Sequence, residues 1–234
     1  MSSPAALRFR CLVVDHDDTA VASTEAIHYP AHVEALRRLR PGRAPIGFEG
    51  WMRKNFEPGF LNYLVGELGF SPDDLALSFE VWRSFTAARV PPFFPGFLSL
   101  LAEYRRRGGL VVVASHSEEA MIRRDYLAGS AAPGGPAPAE PFLPDAIYGW
   151  VDDSSLRKPA PYPVLAAIER FRITRDDVLV LDDLKPGVDM AAAAGVACAA
   201  AGWGYDVPEI RDAMRACCPW YFGSVSDFAG FLLG

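Results

Sequence analysis

Apolar residues along this chain fall into short unbroken runs separated by longer stretches with helical spacing. Four runs, Cys11–Val14, Leu110–Ala114, Val178–Leu181 and Val196–Ala200, carry no internal polar alternation and stop at polar or turn residues. Unbroken runs of this length suit parallel strands covered on both faces. Ala146–Trp150 and Trp220–Phe222 are weaker candidates of the same kind. Helical patterns lie between them: FLSLLAEYRRRGG after Pro95-Gly96, with arginines in its last turn and glycine as its stop, then Tyr162–Phe171 and Gly187–Gly195. Strand and helix in alternation predict an α/β fold, a doubly wound and mainly parallel sheet.

One segment breaks the alternation. Roughly seventy residues separate the first run from Pro91-Pro92, far too many for an ordinary strand-to-helix loop. They hold several helical patterns. One ends at Arg37–Arg40, a second covers Phe60–Leu68, and Ser71-Pro72-Asp73-Asp74 starts a third that runs to about Val90. The expected organisation is therefore a core domain from residues 1–21 and 93–234, with a helical domain, 22–92, inserted between hinges near Val21–Thr24 and Val90–Phe94. The Ala-, Pro- and Gly-rich stretch Gly129–Pro144 reads as a surface loop.

Composition narrows the functional classes. Of 234 residues, 50% are hydrophobic and 22% charged, enough apolar material for a sizeable core and against wholesale disorder. Twenty-three Lys and Arg against 29 Asp and Glu give a net charge of −6, which argues against sequence-independent nucleic-acid binding. The four cysteines, Cys11, Cys198, Cys217 and Cys218, follow neither a zinc spacing nor a secreted disulfide framework. Without a signal-peptide pattern or a membrane-length apolar run, the expectation is a cytoplasmic protein with no membrane partner.

The chemistry sits where a doubly wound sheet binds ligands, just beyond the carboxyl ends of its strands. After the first run come Asp15-His16-Asp17-Asp18-Thr19, and after the second Ser115-His116-Ser117. Arg157-Lys158-Pro159 follows the weak candidate at 146–150, and Asp182-Asp183 follows Val178–Leu181. Two carboxylates about 4 Å apart repel by on the order of 4 kcal/mol at an effective dielectric near 20, so four converging on one rim call for a cation. Ligands that are all oxygen suit Mg²⁺ rather than zinc.

Taken in order, CLVVDHDDT, VVVASHS, RKP and VLVLDDLKPGVDMAAAAG resemble the haloacid dehalogenase superfamily, and the helical insertion resembles that family's type 1 cap. The resemblance covers the core throughout and implies a Rossmann-like core with the following roles. Asp15 is the nucleophile that forms an aspartyl-phosphate, and Asp17 is the general acid and then the base. Thr19 pins the loop, Ser115 and the backbone rather than the ring of His116 hold the phosphoryl group, and Lys158 offsets its charge. Asp183, with Asp182 beside it, completes a Mg²⁺ site with Asp15 and the main-chain carbonyl of Asp17. The family's dehalogenases lack an acid two residues past the nucleophile, so Asp17 implies a phosphatase or phosphotransferase of a small phosphorylated metabolite. Asp18 departs from the glycine most common at its position.

Two alternatives stand beside that reading. A sugar-phosphate mutase uses the same intermediate, and only water access, which the sequence does not show, separates the two. A phospho-accepting receiver module also combines acids, a hydroxyl and a lysine, but it carries its acidic pair after the first strand and has no room for the insertion. Within the insertion, Trp51, Arg53 and Lys54 are candidates for substrate recognition, since an aromatic beside cations suits a phosphorylated or carboxylated molecule, though a solvated helix face fits them equally. His28 follows the first hinge and is a further candidate. His16, between the two acids, should point away from the site.

Overall fold

The computed structural model describes residues 7–130 and 141–234. Six parallel strands form one sheet: β1 (Cys11–Val14), β2 (Leu110–Ala114), β3 (Ala146–Tyr148), β4 (Val178–Asp182), β5 (Ala197–Ala201) and β6 (Trp220–Phe222), in the order β3-β2-β1-β4-β5-β6. All six expected strands are present. β4 runs on to Asp182, and β5 starts and ends one residue later than its apolar run.

Strand side chains alternate between two cores, as the period of two requires. Cys11, Val13, Val112 and Val180 face one helical layer, formed by α7 (Tyr162–Phe171), α8 (Lys185–Ala194) and α9 (Pro208–Cys217). Leu12, Val14, Val111, Val113 and Leu181 face the other, formed by α5 (Phe97–Arg106), α6 (Glu119–Ser130) and α10 (Val225–Leu233). Both faces are covered, which is why these strands read as unbroken apolar runs. Residues 131–140 of the expected 129–144 loop lie outside the described residues, and Gly129 itself belongs to α6 rather than to a loop.

Between residues 24 and 88 the regular elements are all helices, joined by short connections, with no strand. They comprise a wide turn at Thr24–His28, α1 (Tyr29–Leu39), α2 (Phe48–Phe56), a single turn α3 (Phe60–Asn62) that widens over Tyr63–Glu67, and α4 (Pro72–Ala88). The Ser71 hydroxyl accepts from the Asp74 N–H while Asp74 accepts from the Ser71 N–H, the reciprocal cap the sequence promised. Where the segment leaves and rejoins the core, the two connections lie side by side: Ala22 N–H donates to the Pro92 carbonyl at 2.9 Å and Phe94 N–H to that of Ala20 at 3.0 Å. No helix among the described residues is long and apolar enough to cross a membrane.

An aromatic cluster holds the segment together. The His32 ring stacks on Trp51 at 5.7 Å and meets Tyr63 at 5.8 Å and Phe60 at 6.4 Å. His32 is 4% exposed and neither ring nitrogen has a hydrogen-bond partner among the described residues. Burial therefore favours the neutral ring and pushes its pKa down to about 4. An unfolded chain takes up this proton near pH 6.5, so stability is lost as pH falls from about 6.5 to about 4, by on the order of 3 kcal/mol. His32→Phe is expected to keep the melting temperature at pH 7 and to flatten that acid-side loss. Parallel pH profiles for the two proteins would contradict this account.

Candidate active site

The register of β1 against β4 builds the site. Val14 lies opposite Leu181, and the Asp15 N–H donates to the Leu181 carbonyl at 2.9 Å, so Asp15 emerges beside Asp182. In this strand order the chain winds outward through β2 and β3 and then restarts on the other side of β1 at β4. The crevice between β1 and β4 is thus the reversal point where such sheets bind ligands. The Lys158 ammonium, on the loop after β3, reaches into that crevice. It donates to Asp15 Oδ1 at 2.6 Å and to Asp182 Oδ2 at 2.7 Å. Asp182 Oδ1 accepts the Leu184 N–H at 2.9 Å, and the Thr19 hydroxyl donates to Asp183 Oδ1 at 3.0 Å. Gly187 permits this packing, since a methyl group there would lie 2.0 Å from Asp182 Oδ2.

All four charged groups are buried. Burial pushes the Asp15 carboxyl up to about 7, Lys158 drawing it down and Asp182 and Asp17 raising it further. Asp183 is raised well above the usual carboxylate range by burial and by the charges of Asp15 and Asp182. Lys158, which burial alone would neutralise, is kept charged by Asp15 and Asp182. Asp15, Asp182 and Asp183 present oxygens that all lie within 4.8 Å of one another, against a single ammonium. A buried excess of negative charge with oxygen-only donors fits a hard divalent cation such as Mg²⁺. Both Asp182 oxygens are already engaged, by Lys158 and by Leu184 N–H, so Asp15 and Asp183 are the better placed pair, and Asp182 serves mainly to anchor the lysine.

Asp17 stands apart from this cluster. Its Oδ1 accepts from the Ser23 hydroxyl at 2.7 Å and from His28 Nε2 at 2.7 Å. Its Oδ2 accepts from the hydroxyls of Ser117 at 2.6 Å and Ser115 at 3.2 Å. Burial opposes its charge, but the hydrogen bonds from His28 and Ser117 outweigh it and hold the carboxyl well below its usual range. Thus the Asp17 side chain does not join the metal cluster, and only its main-chain carbonyl remains for that role. His28 is in turn fixed by Trp82 of α4, whose indole N–H donates to His28 Nδ1 at 2.8 Å. Because indole only donates, Nδ1 is an acceptor here and the ring's proton sits on Nε2, facing Asp17.

Several expected residues have other partners. His16 points away, as anticipated, with Nε2 3.2 Å from Asp125 Oδ2. The His116 ring is committed to the Lys158 carbonyl at 2.9 Å, so it braces the lysine's loop rather than presenting the ring to a phosphoryl group. Arg53 and Lys54 do not reach the cavity beside the site. Arg53 pairs with Glu49 one turn away and with Glu209 of α9, and Lys54 pairs with Glu67. Of these acids only Glu49 lies within a turn of its partner; Glu209 and Glu67 are brought up by neighbouring elements. Trp51, on the inner face of the same helix, is buried and lines the cavity. Lys185 pairs with Asp189, and Asp153 caps the turn at Ser154–Leu156. Asp18 adopts a left-handed φ of 57°, the conformation that explains a glycine preference and that Asp tolerates better than most residues.

The sequence reading missed Ser117, Ser23 and Trp82. Ser117 carried a signal, since it lies two residues beyond Ser115 in VVVASHS. Ser23 and Trp82 carried none, because only the folded helical segment brings them to Asp17. Above the cluster lies a cavity of about 560 Å³ lined from both sides, by Asp15, Asp17, Ser115, Lys158 and Asp183 below and by the helical segment above.

Comparison with known proteins agrees with this geometry. The family model of haloacid dehalogenase-like hydrolases matches residues 9–195. Among solved structures, a predicted phosphatase from Clostridium acetobutylicum superposes with a TM-score of 0.75 at 18% identity, covering 96% of this chain and 98% of that one. A predicted phosphoglycolate phosphatase from Haemophilus somnus gives 0.72 at 15% identity, over 96% and 98%. CbbY from Rhodobacter sphaeroides, solved in complex with xylulose-1,5-bisphosphate, gives 0.67 at 21%, over 92% and 94%. At such identities the likeness is one of fold. No curated protein sequence matches the chain.

Removing the ammonium between Asp15 and Asp182 leaves two buried carboxylates facing each other. Lys158→Met is accordingly expected to lose about 3 kcal/mol or more of stability in urea unfolding without divalent cation. A loss below about 1 kcal/mol would mean the carboxylates do not depend on that charge.

Proposed function

With the family model spanning most of its length, the chain belongs to the haloacid dehalogenase-like hydrolases, and we propose that it is a Mg²⁺-dependent phosphohydrolase of a small phosphorylated metabolite. The observation that carries the reading is the buried contact of Asp15 with Lys158 and Asp182, with Asp183 beside them and Asp17 across the same rim. Asp15 attacks phosphorus in line: a bond forms from its carboxylate oxygen to phosphorus, and the bond to the ester oxygen breaks. A proton that the phosphate monoester brings in as its monoanion passes to Asp17, which gives it to the departing alkoxide and then takes one from the water that hydrolyses the aspartyl-phosphate. Lys158 stabilises the charge gathering on the phosphoryl oxygens, and Ser115 orients them. Asp15, Asp183 and the Asp17 carbonyl would hold Mg²⁺, which would supply positive charge to offset that of the phosphoryl group.

His28 fits as a positioning residue for Asp17. Its Nε2–H lies 2.7 Å from Oδ1, and Trp82 keeps that proton on the side facing the acid. Residues 22–92 act as the cap that closes over the crevice and excludes water. A cytoplasmic setting belongs to the same reading and is supported by four free cysteines.

The test is hydrolysis of an aryl phosphate with Mg²⁺. Asp15→Asn should abolish turnover, and so should chelation of the metal; activity surviving either change overturns the proposal. Asp17→Asn should separate substrates by leaving group. Its kcat on an unactivated alkyl phosphate should fall by about 10² or more, while an aryl phosphate, whose leaving group needs little proton assistance, should fall much less. Equal losses on both would remove Asp17 from the acid role.

A further inference from the structure

The cavity over the Asp15–Lys158 cluster has a sharply divided lining. At the sheet end it holds the carboxylates, Ser115 and the cations Arg157, Lys158 and Lys185. The helical segment supplies the opposite wall, and six aromatic rings dominate the cavity away from the cluster: Trp51, Phe56, Phe60, Phe79, Trp82 and, from the loop after β3, Trp150. That segment gives the lining no Lys or Arg and only one carboxylate, Glu57. Its own cations are engaged elsewhere: Arg40 with Asp74, Arg53 with Glu49 and Glu209, Lys54 with Glu67, and Arg83 with Glu118. At the sheet end, Arg157 stacks on Trp150 at 4.1 Å and donates to the carbonyls of Val151 and Asp152, while Lys185 is paired with Asp189.

We infer that the substrate is a phosphate monoester of an uncharged alcohol with an apolar, aromatic-sized body, and that compounds with a second anionic group are poor substrates. The inference rests on the phosphohydrolase reading above and specifies its substrate class. A carboxylate or second phosphate on the leaving group would have to shed water against aromatic rings with no unpaired cation to receive it. The polar side chains that the segment adds to the lining, Asn55, Asn62, Ser78, His28 and His32, are neutral, so they offer nothing to offset a second negative charge. A flat or branched apolar group, by contrast, exchanges water for ring contacts. At about 560 Å³ the cavity falls within the roughly 300–1,000 Å³ of small-molecule sites, with room beyond the phosphoryl group for such a body.

The experiment compares esters whose leaving groups are similarly unactivated: 2-phenylethyl phosphate, ethyl phosphate, 2-phosphoglycolate, glucose 6-phosphate and phosphocholine. The expected result is a kcat/KM for 2-phenylethyl phosphate about a hundredfold above that for 2-phosphoglycolate and above all the others. Any other member of the set matching or exceeding it overturns the inference, phosphocholine included, since that would mean the rings serve a cation. Phe79→Ala, which removes one half-buried ring from the wall, should lower the ratio of phenylethyl to ethyl kcat/KM by at least about tenfold. An unchanged ratio also counts against the proposal. Calorimetric binding of the same compounds to Asp15→Asn protein separates the two readings. If nothing turns over but 2-phenylethyl phosphate still binds most tightly, the reaction is wrong and the wall is right. If 2-phosphoglycolate binds at least as tightly, the wall is wrong whatever the reaction.

Discussion

A single ammonium group, Lys158, sits buried between two carboxylates that the sheet register forces side by side. The parallel pairing of β1 with β4 leaves Asp15 and Asp182 no choice but to be neighbours, and the crevice between these strands is too well packed for water to keep them apart electrostatically. Without the lysine, the rim would be a patch of unmatched negative charge under a closed helical layer. With it, the rim still carries more negative than positive charge, and that surplus is what makes it receptive to a dication and to a phosphoryl group brought in with one. The loop that carries Lys158 is braced by the His116 ring at its carbonyl, so the cation's position is set by the strand next to β1 as well as by its own loop.

Two acids separated by one residue end in opposite electrostatic states, and the difference is made by neighbours rather than by residue type. Asp15 is raised to about 7 by burial, with Asp182 and Asp17 adding to it against the pull of Lys158, whereas Asp17 is surrounded by donors and held low. Two of Asp17's donors, Ser23 and His28, come from the first stretch of the segment that leaves the core, and Trp82 stands behind His28 from its last helix. The ionisation of Asp17 is therefore coupled to where that segment lies over the sheet.

Much of this could be read from the sequence because a doubly wound sheet converts chain order into spatial order. Residues that follow consecutive strands must meet at one rim, so Asp15, Asp17, Ser115, Lys158, Asp182 and Asp183 were all identifiable before any coordinates. The reading was weaker where position depends on something other than strand ends. Only the main-chain carbonyl of Asp17 was expected at the metal, and its side chain turns instead to the hydroxyls of Ser115 and Ser117 and to Ser23 and His28 from the helical segment. Asp182 was grouped with Asp183, yet a main-chain N–H two residues on takes one of its oxygens. The helices at 119–130, 208–217 and 225–233 went unremarked, although Ser224 caps the last of them by accepting the Asp227 N–H. Gly187, whose missing side chain makes room for Asp182, reads in sequence as nothing more than a residue in a helical turn.

The Trp51-Met52-Arg53-Lys54 stretch is the most instructive case, because the aromatic and the cations that the sequence groups together lie on opposite faces of one helix. Cations draw the eye in a search for an anion-binding surface, but on a nine-residue amphipathic helix they occupy the outer face by construction, where local acids neutralise them. The inner face carries Trp51, which in sequence is indistinguishable from a core residue and which packs with His32 and Phe60 much as core residues do. A wall that both stabilises a helical layer and contacts a ligand leaves the same apolar signature for either task. The phosphoryl end of this site is thus written in charged residues with few alternative uses. Its other end is written in rings that the fold would need in any case, and only their placement around one cavity distinguishes them.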